Sequence, residues 1–444
     1  MIGASLLTDK YELTMAASYH RHGMNGPATF DLFVRELPPN RNFLVAAGIE
    51  HAIDYLQALS FEPDDIDYLS SLDLFDEDFL GFLRELRFTG EVWAMPEGEI
   101  FFGGEPLLSV TAPLIEAQIV ETYLLNATTF PSSIASKSAR LQIAARGRSF
   151  VDFSLRRDHG PGAGLLAARA AYIGGADATS NVLAGKRYGL PLTGTMAHSY
   201  VMSFDSEIEA FRTFARDFPT RAVLLIDTYD VEEGARRAAK VAEELRSEGV
   251  RLAGVRIDSG DLAVLTTAAR KILDEGGCGD VPIFLSGDLD EYRIAELVDD
   301  AIPADAFGVG TQLGTSADAP ALGGVYKLVA DEHGPKMKTS TGKVSRPGRK
   351  QIYRCEEDRY VEDILALAGE APRKGRPLLH KVMENGSRTR AAESLGTMRD
   401  RCREGIARLP VHLRSLESSR APYPVTLSTA LAELTKEAAT RTHE

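Results

Sequence analysis

Three segments in the middle of the chain close in the same way. "AVLLID" (222–227), "LAGVRID" (252–258) and "PIFLSGD" (282–288) are apolar runs of strand length that end on an aspartate. Each leads into a stretch with helical periodicity: "VEEGARRAAKVAEELRSEG", "LAVLTTAARKILDEGG" and "DEYRIAELVDD". Asp227, Asp258 and Asp288 therefore recur at an interval of about 30 residues, the length of one strand-helix unit. "FVDFSLR" (150–156), helical patterns near 164–175 and 178–189, the strand-like "PLTGT" (191–195), a helix near 206–218 and "AFGVGT" (306–311) extend the alternation. Short buried strands alternating with amphipathic helices specify a parallel α/β unit, and this many in succession predict an irregular TIM-like α/β barrel over 131–354. Polar residues at the strand ends would share one rim, where barrel enzymes build their sites. Alternatively, one or two of the aspartates only cap the helices that follow.

The flanks read differently. "ATFDLFVREL" (28–37) and "GEVWAMPEGEIFFGGEPLLSVTAP" (90–113) resemble antiparallel strands, and 44–88 reads as helical. "PLLHKVMENGSRT" (377–389) predicts a hairpin turning at Asn385-Gly386, and the residues after about 390 read as helical. These segments predict a second α+β domain built from 1–130 and about 355–444. "TSTGKVSRPGRK" (339–350) is a basic loop containing Gly and Pro.

The net charge of −14 argues against broad attraction to nucleic acid or an anionic membrane, so an anionic substrate needs a local site. Three scattered cysteines with no C-x-x-C pair argue against a disulfide framework or a cysteine zinc site. The first residues lack the charged and apolar regions of a signal peptide, and no run approaches membrane-spanning length; a cytoplasmic location is the expectation.

No P-loop, H-E-x-x-H, G-x-S-x-G or strand-coupled G-x-G-x-x-G is present, so the chemistry must lie at the strand ends. "LSGD" and "FGVGT" are Gly-rich turns whose N–H groups could cradle a phosphate, or simply tight turns. Arg256 and Asp258 point to one face of their strand and form either a substrate clamp or a plain ion pair. Phe153 and Arg156 add an aromatic face and a cation. Together they suit a planar anion beside a phosphorylated sugar. His198, in "GTMAHSYVMSF", falls at a predicted helix start, where the dipole favours the neutral, nucleophilic ring and would stabilise a phosphate attached to it. Thr195, three residues earlier, could reach a ligand.

These residues resemble the nicotinate phosphoribosyltransferase family, the ATP-coupled type II phosphoribosyltransferases. The likeness runs in order through "LLTDKYELTMAASYH", "DFSLRRDHGPGAGLLAARAAYIGGADATSNVLAGKRYGLPLTGTMAHSYVMSF", "VRIDSGDL" and "FGVGTQLGTSADAPALGGVYKLV". It implies the same fold, an irregular barrel with an α+β domain from both termini. The implied reaction joins nicotinate to phosphoribosyl pyrophosphate, giving nicotinate mononucleotide and pyrophosphate. Mg²⁺ assists it, and ATP hydrolysis through a phosphohistidine drives it.

The resemblance assigns His198 as the phosphorylated histidine and Asp258 as the acid near the sugar. It places Thr195 and Arg256 on nicotinate, with Phe153 as one stacking face and Arg156 as a further contact. Tyr11, with Asp9, would enter the partner subunit's site, so the enzyme is expected to be a homodimer with shared sites. Asp177 is carried over among the substrate-binding positions. Ser286, Gly287, Gly308, Gly310 and Thr311 would surround the 5-phosphate. No protein-held metal and no structural zinc are expected.

The chain departs from the family at Ser154, commonly Gly, and at Asp158 and His159, in "RRDHG" where "RRA" is common. A nicotinamide phosphoribosyltransferase is the nearest alternative, but that enzyme tends to carry "GVGGG" where this chain has "GVGT". A catalytically silent phosphosugar-binding homologue would be free to lose His198, Arg256 and Asp258. A barrel aldolase lacks its lysine at the strand ends.

Overall fold

The helices that follow the three strand-end aspartates are capped by other residues. Asp230 accepts the Glu233 N–H at 2.8 Å at the start of helix Val231–Ser247. Asp261 caps Leu262–Glu275, and Asp290 accepts the Arg293 N–H at 2.7 Å to cap Glu291–Asp299. Capping is thus done two or three residues further on, and Asp227, Asp258 and Asp288 are left for other work.

The protein was studied as a computed structural model, which describes residues 5–340, 345–370 and 375–441. It divides into two units, one of residues up to 136 together with 319 onward, the other Lys137–Asp318. Residues 319–354, assigned to the barrel from sequence, belong with the chain ends because Gly324–Asp331 pairs with Pro27–Val34. The basic stretch 339–350 lies partly outside the described residues.

The second unit holds six parallel strands, numbered here in chain order: β1 (Ser149–Asp152), β2 (Ala178–Thr179), β3 (Val223–Leu225), β4 (Gly254–Ile257), β5 (Ile283–Leu285) and β6 (Ala306–Val309). Their order across the sheet is β2-β1-β6-β5-β4-β3. Pairing of the first strand with the last is what a barrel requires, but β2 and β3 do not meet. The barrel is therefore open, a half-barrel. The expected strand "PLTGT" contributes a single bridge, Leu192 to Thr179, and 193–197 is irregular. Gly194, with no side chain to pack on a pleated surface, interrupts the run. Helix Val231–Ser247 buries Val231, Ala235, Ala238, Ala242 and Leu245, the 3.6-residue stripe that covers a parallel sheet. Val255, Ile257, Ile283, Leu285, Phe307 and Val309 are fully enclosed on the strands.

In the first unit, a seven-stranded antiparallel sheet centres on Pro27–Val34, flanked by Pro106–Pro113 and Gly324–Asp331. The predicted hairpin is present as His380–Glu384 and Ser387–Arg388, with Asn385 and Gly386 both at positive φ (49° and 71°). Residues 44–88 are largely helical, although Leu44–Val45 forms a short strand with Ile100–Phe101. Beyond 390, helices Leu395–Arg408 and Thr429–Arg441 are separated by strand Val425–Leu427. Arg354 is wholly buried there, held by Asp363 at 2.6 Å and Glu99 at 2.8 Å, as an internal charge must be.

Candidate active site

The C-terminal ends of the six strands bring together most of the residues singled out from the barrel sequence. Arg256, on β4, points to the same side as Asp258 just beyond it, while Ile257 between them is buried. The guanidinium donates to Asp258 Oδ1 at 2.6 Å, to Ser286 Oγ at 2.7 Å and to Thr195 Oγ1 at 2.8 Å. Ser286 Oγ in turn donates to Asp258 Oδ1 at 2.6 Å. The Arg256 Cζ lies 5.4 Å from the centre of the Phe153 ring. A cation is thereby fixed beside an aromatic face with its fork directed by three partners, a geometry suited to a planar carboxylate.

A cavity of about 360 Å³ opens over this group, lined by Phe153, Arg156, Ser180, Thr195, Met196 and Arg256. Another of about 400 Å³ is lined by Asp258, Ser259, Gly260, Gly287, Asp288 and Arg293. The Arg256–Asp258 pair contributes one residue to each.

Gly287 sits at φ +97°, and a Cβ there would collide with the Asp258 carbonyl, so this turn requires glycine. Gly308, expected at the 5-phosphate, also borders the aromatic face. It lies inside β6, where a Cβ would stand 2.6 Å from two carbons of the Phe153 ring, so its bareness makes room for that ring. Gly310 and Thr311 form the turn that follows, and Thr311 is exposed.

His198 opens a helix of only five residues, His198–Met202, too short for a substantial dipole. A side chain fixes its ring instead: Nδ1 lies 3.1 Å from Thr228 Oγ1. In the tautomer whose Nδ1–H donates to Thr228, Nε2 carries the lone pair. Nε2 stands 4.0 Å from Asp258 Oδ2, with the ring about two-fifths exposed (40%).

Thr228 was not selected from sequence, and Asp227 was noted there only as a strand-end aspartate. Asp227 Oδ2 accepts the Asp258 N–H at 2.9 Å and the Ser259 hydroxyl at 2.7 Å, while its buried Oδ1 has no partner. The position of "IDT" just past a strand was the available signal for both.

Asp177 is not brought to this group. It accepts the hydroxyl of Ser149 at 2.6 Å, at the opposite, N-terminal end of β1. Asp9 and Tyr11 belong to the first unit, where Asp9 accepts the Thr122 hydroxyl at 2.9 Å and Tyr11 is about half exposed (48%). Among the described residues, no three acidic, His or Cys side chains converge as a metal cage, and no helix is long and apolar enough to cross a membrane.

Comparison with known proteins accounts for most of the chain. Residues 6–129 match the N-terminal domain of nicotinate phosphoribosyltransferase, 134–319 the C-terminal domain of quinolinate phosphoribosyl transferase, and 371–435 the C-terminal domain of nicotinate phosphoribosyltransferase. Nicotinate phosphoribosyltransferase pncB2 of Mycobacterium tuberculosis is 47% identical over 429 residues, covering 96% of this chain and 92% of that one. The Bacillus subtilis nicotinate phosphoribosyltransferase is 44% identical, covering 82% and 76%. The crystal structure of human nicotinic acid phosphoribosyltransferase superposes with a TM-score of 0.88 at 31% identity, over 97% of this chain and all (100%) of that one.

Proposed function

The chain belongs to the nicotinate phosphoribosyltransferase family and is an enzyme of NAD salvage, and from that premise we propose how its site carries out an ATP-coupled transfer through His198. Nicotinate stacks on Phe153 with its carboxylate toward Arg256 and Thr195. Its ring nitrogen attacks the anomeric carbon of phosphoribosyl pyrophosphate; the C–N bond forms as the bond to pyrophosphate breaks. Positive charge develops on the ribose, and the Asp258 carboxylate is close enough to the cavity to stabilise it. Arg156 and the turns at Ser286–Gly287 and Gly310–Thr311 supply cationic and N–H contacts for phosphate groups.

The observation that carries the reading is the setting of His198. Its Nδ1 is engaged by Thr228, and its Nε2 faces Asp258, the residue paired with Arg256. A phosphoryl group taken from ATP onto Nε2, with ADP leaving, would add roughly two negative charges beside Asp258. That charge is relieved when the phosphoryl group passes to water, which supports a link between ATP cleavage and product formation.

Mg²⁺ fits the donor set as an ion carried in with the diphosphate. Asp227 Oδ1, which has no partner, and Asp258 Oδ2, which faces His198, are the hard oxygen ligands on offer, and the ion would neutralise the leaving group. In a homodimer, Tyr11 and Asp9 of each subunit would complete the stacking face of the other.

The test is a product assay with nicotinate or nicotinamide, with and without ATP, on wild type and His198→Ala. The proposal expects nicotinate mononucleotide, faster with ATP, and loss of nicotinate-stimulated ATP hydrolysis in the variant. Unchanged ATP consumption by His198→Ala would remove the phosphohistidine role.

A further inference from the structure

The loop that follows β1 carries Phe153 and Arg156, and it is held from beneath by a carboxyl group that the reaction above does not use. Ser154 is buried and gives its N–H to Asp152 Oδ1 at 2.9 Å. Its hydroxyl reaches across the loop to Asp158 Oδ2 at 3.2 Å. The other oxygen, Asp158 Oδ1, is buried with no hydrogen-bond partner.

Two glycines enclose this carboxyl. A Cβ at Gly164, on helix Pro161–Ile173, would come within 3.0 Å of Asp158 Oδ2. A Cβ at Gly314, in the turn after β6, would overlap Oδ1. Asp158 is therefore wedged between the loop bearing the aromatic face and the turn that begins at Gly310.

We propose that Asp158 is a positioning residue for the transfer reaction, tying the Phe153–Arg156 loop to the turn after β6 through Ser154 and Gly314. Its protonation governs how well that tie holds. Burial and, after it, the neighbouring Asp152 carboxylate together raise the carboxyl to about 6, with the Ser154 hydroxyl pulling the other way. The helix and the turn meet it at glycines, which bring no charge, and Arg156, Arg157 and His159 of its own loop are exposed. Below that pH the neutral carboxyl sits comfortably beside Asp152. Above it, an unpartnered charged oxygen is buried and the loop is loosened.

The kinetic consequence rests on Phe153 being the ring-stacking face; the structural one does not. Two readouts therefore apply to wild type, Asp158→Asn and Asp158→Ala. Hydrogen exchange over 153–160, corrected for intrinsic rates, should show protection in wild type that falls as pH rises through about 6. Asp158→Asn, neutral throughout, should stay protected. In parallel, KM for nicotinate in wild type should rise severalfold relative to Asp158→Asn over that range, and Asp158→Ala should raise KM about tenfold with kcat less affected. Superimposable exchange profiles for wild type and Asp158→Asn would overturn the inference, whether or not product forms. An exchange difference without activity toward nicotinate would overturn only the functional reading.

Discussion

Gly308→Ala separates two explanations of one glycine. If Gly308 exists to admit a phosphate, the added methyl should obstruct the sugar substrate. If it exists to admit the Phe153 ring, the methyl should push that ring out of place. The geometry favours the ring: the new Cβ would lie 2.6 Å from Cδ2 and Cε2 of Phe153 and 3.3 Å from the Ser286 Cβ. Carbon atoms rest at about 3.5–4.0 Å, so the ring must retreat by roughly 1 Å, and the open side is the cavity it lines. Overpacking of this kind costs about 1–3 kcal/mol when it cannot relax. Here it relaxes into the space the proposed mechanism gives to nicotinate, so the same range becomes roughly a 5- to 150-fold loss of ring-substrate affinity. Steady-state kinetics should show KM for nicotinate rising over that range, with KM for phosphoribosyl pyrophosphate unchanged and thermal stability little altered. In a Phe153→Ala background, Gly308→Ala should add almost nothing, because the clash is gone. A rise in KM for phosphoribosyl pyrophosphate alone, persisting without Phe153, would refute the reasoning.

Gly287→Ala should be far more damaging, since the methyl meets the Asp258 carbonyl and φ is +97°; kcat/KM should fall by about a hundredfold or more, with Tm lowered by calorimetry. Glu12 offers a pH test in the first unit. Burial raises its carboxyl from 4.5 to about 7, so the folded state holds the proton more tightly and stability falls as pH rises through that window. Glu12→Gln keeps an acceptor for the Gln118 amide, 2.6 Å away in wild type, and should raise Tm at about pH 8 while changing it little at about pH 4. Equal shifts at both pH values would exclude the titration.

The parallel strands were legible because burial on both faces leaves an unbroken apolar run, and the aspartates beyond them marked the functional edge. Arg256 and Asp258 were legible through the two-residue period of a strand. The further partners, Thr195 and Ser286 on the same guanidinium, come from distant segments and were not legible. The missing strand at "PLTGT" was not legible, because whether an apolar-polar run pairs depends on a neighbour that local sequence does not specify. The close approach of Phe153 to Gly308 was not legible for a related reason. A glycine in a strand is silent about which side chain will lie across it, and that neighbour, Phe153, comes from a strand more than 150 positions earlier in the chain. Residues 319–354 were assigned to the wrong unit since their partner strand lies near the other end of the sequence.

The gap between β2 and β3 has a mechanical consequence. Thr193 gives its N–H to the Thr179 carbonyl at 3.1 Å, and beyond it residues 194–197 belong to no ladder. Side chains clip the segment at two points: Thr195 to Arg256, and His198 to Thr228. In the proposed mechanism, one of these points is the ring that takes the phosphoryl group and the other is the cation that takes the nicotinate carboxylate. A closed barrel would have locked those three residues of separation into a rigid strand. Left open, the segment joins the proposed phosphate-accepting ring to the proposed nicotinate-binding cation through three residues without a continuous ladder.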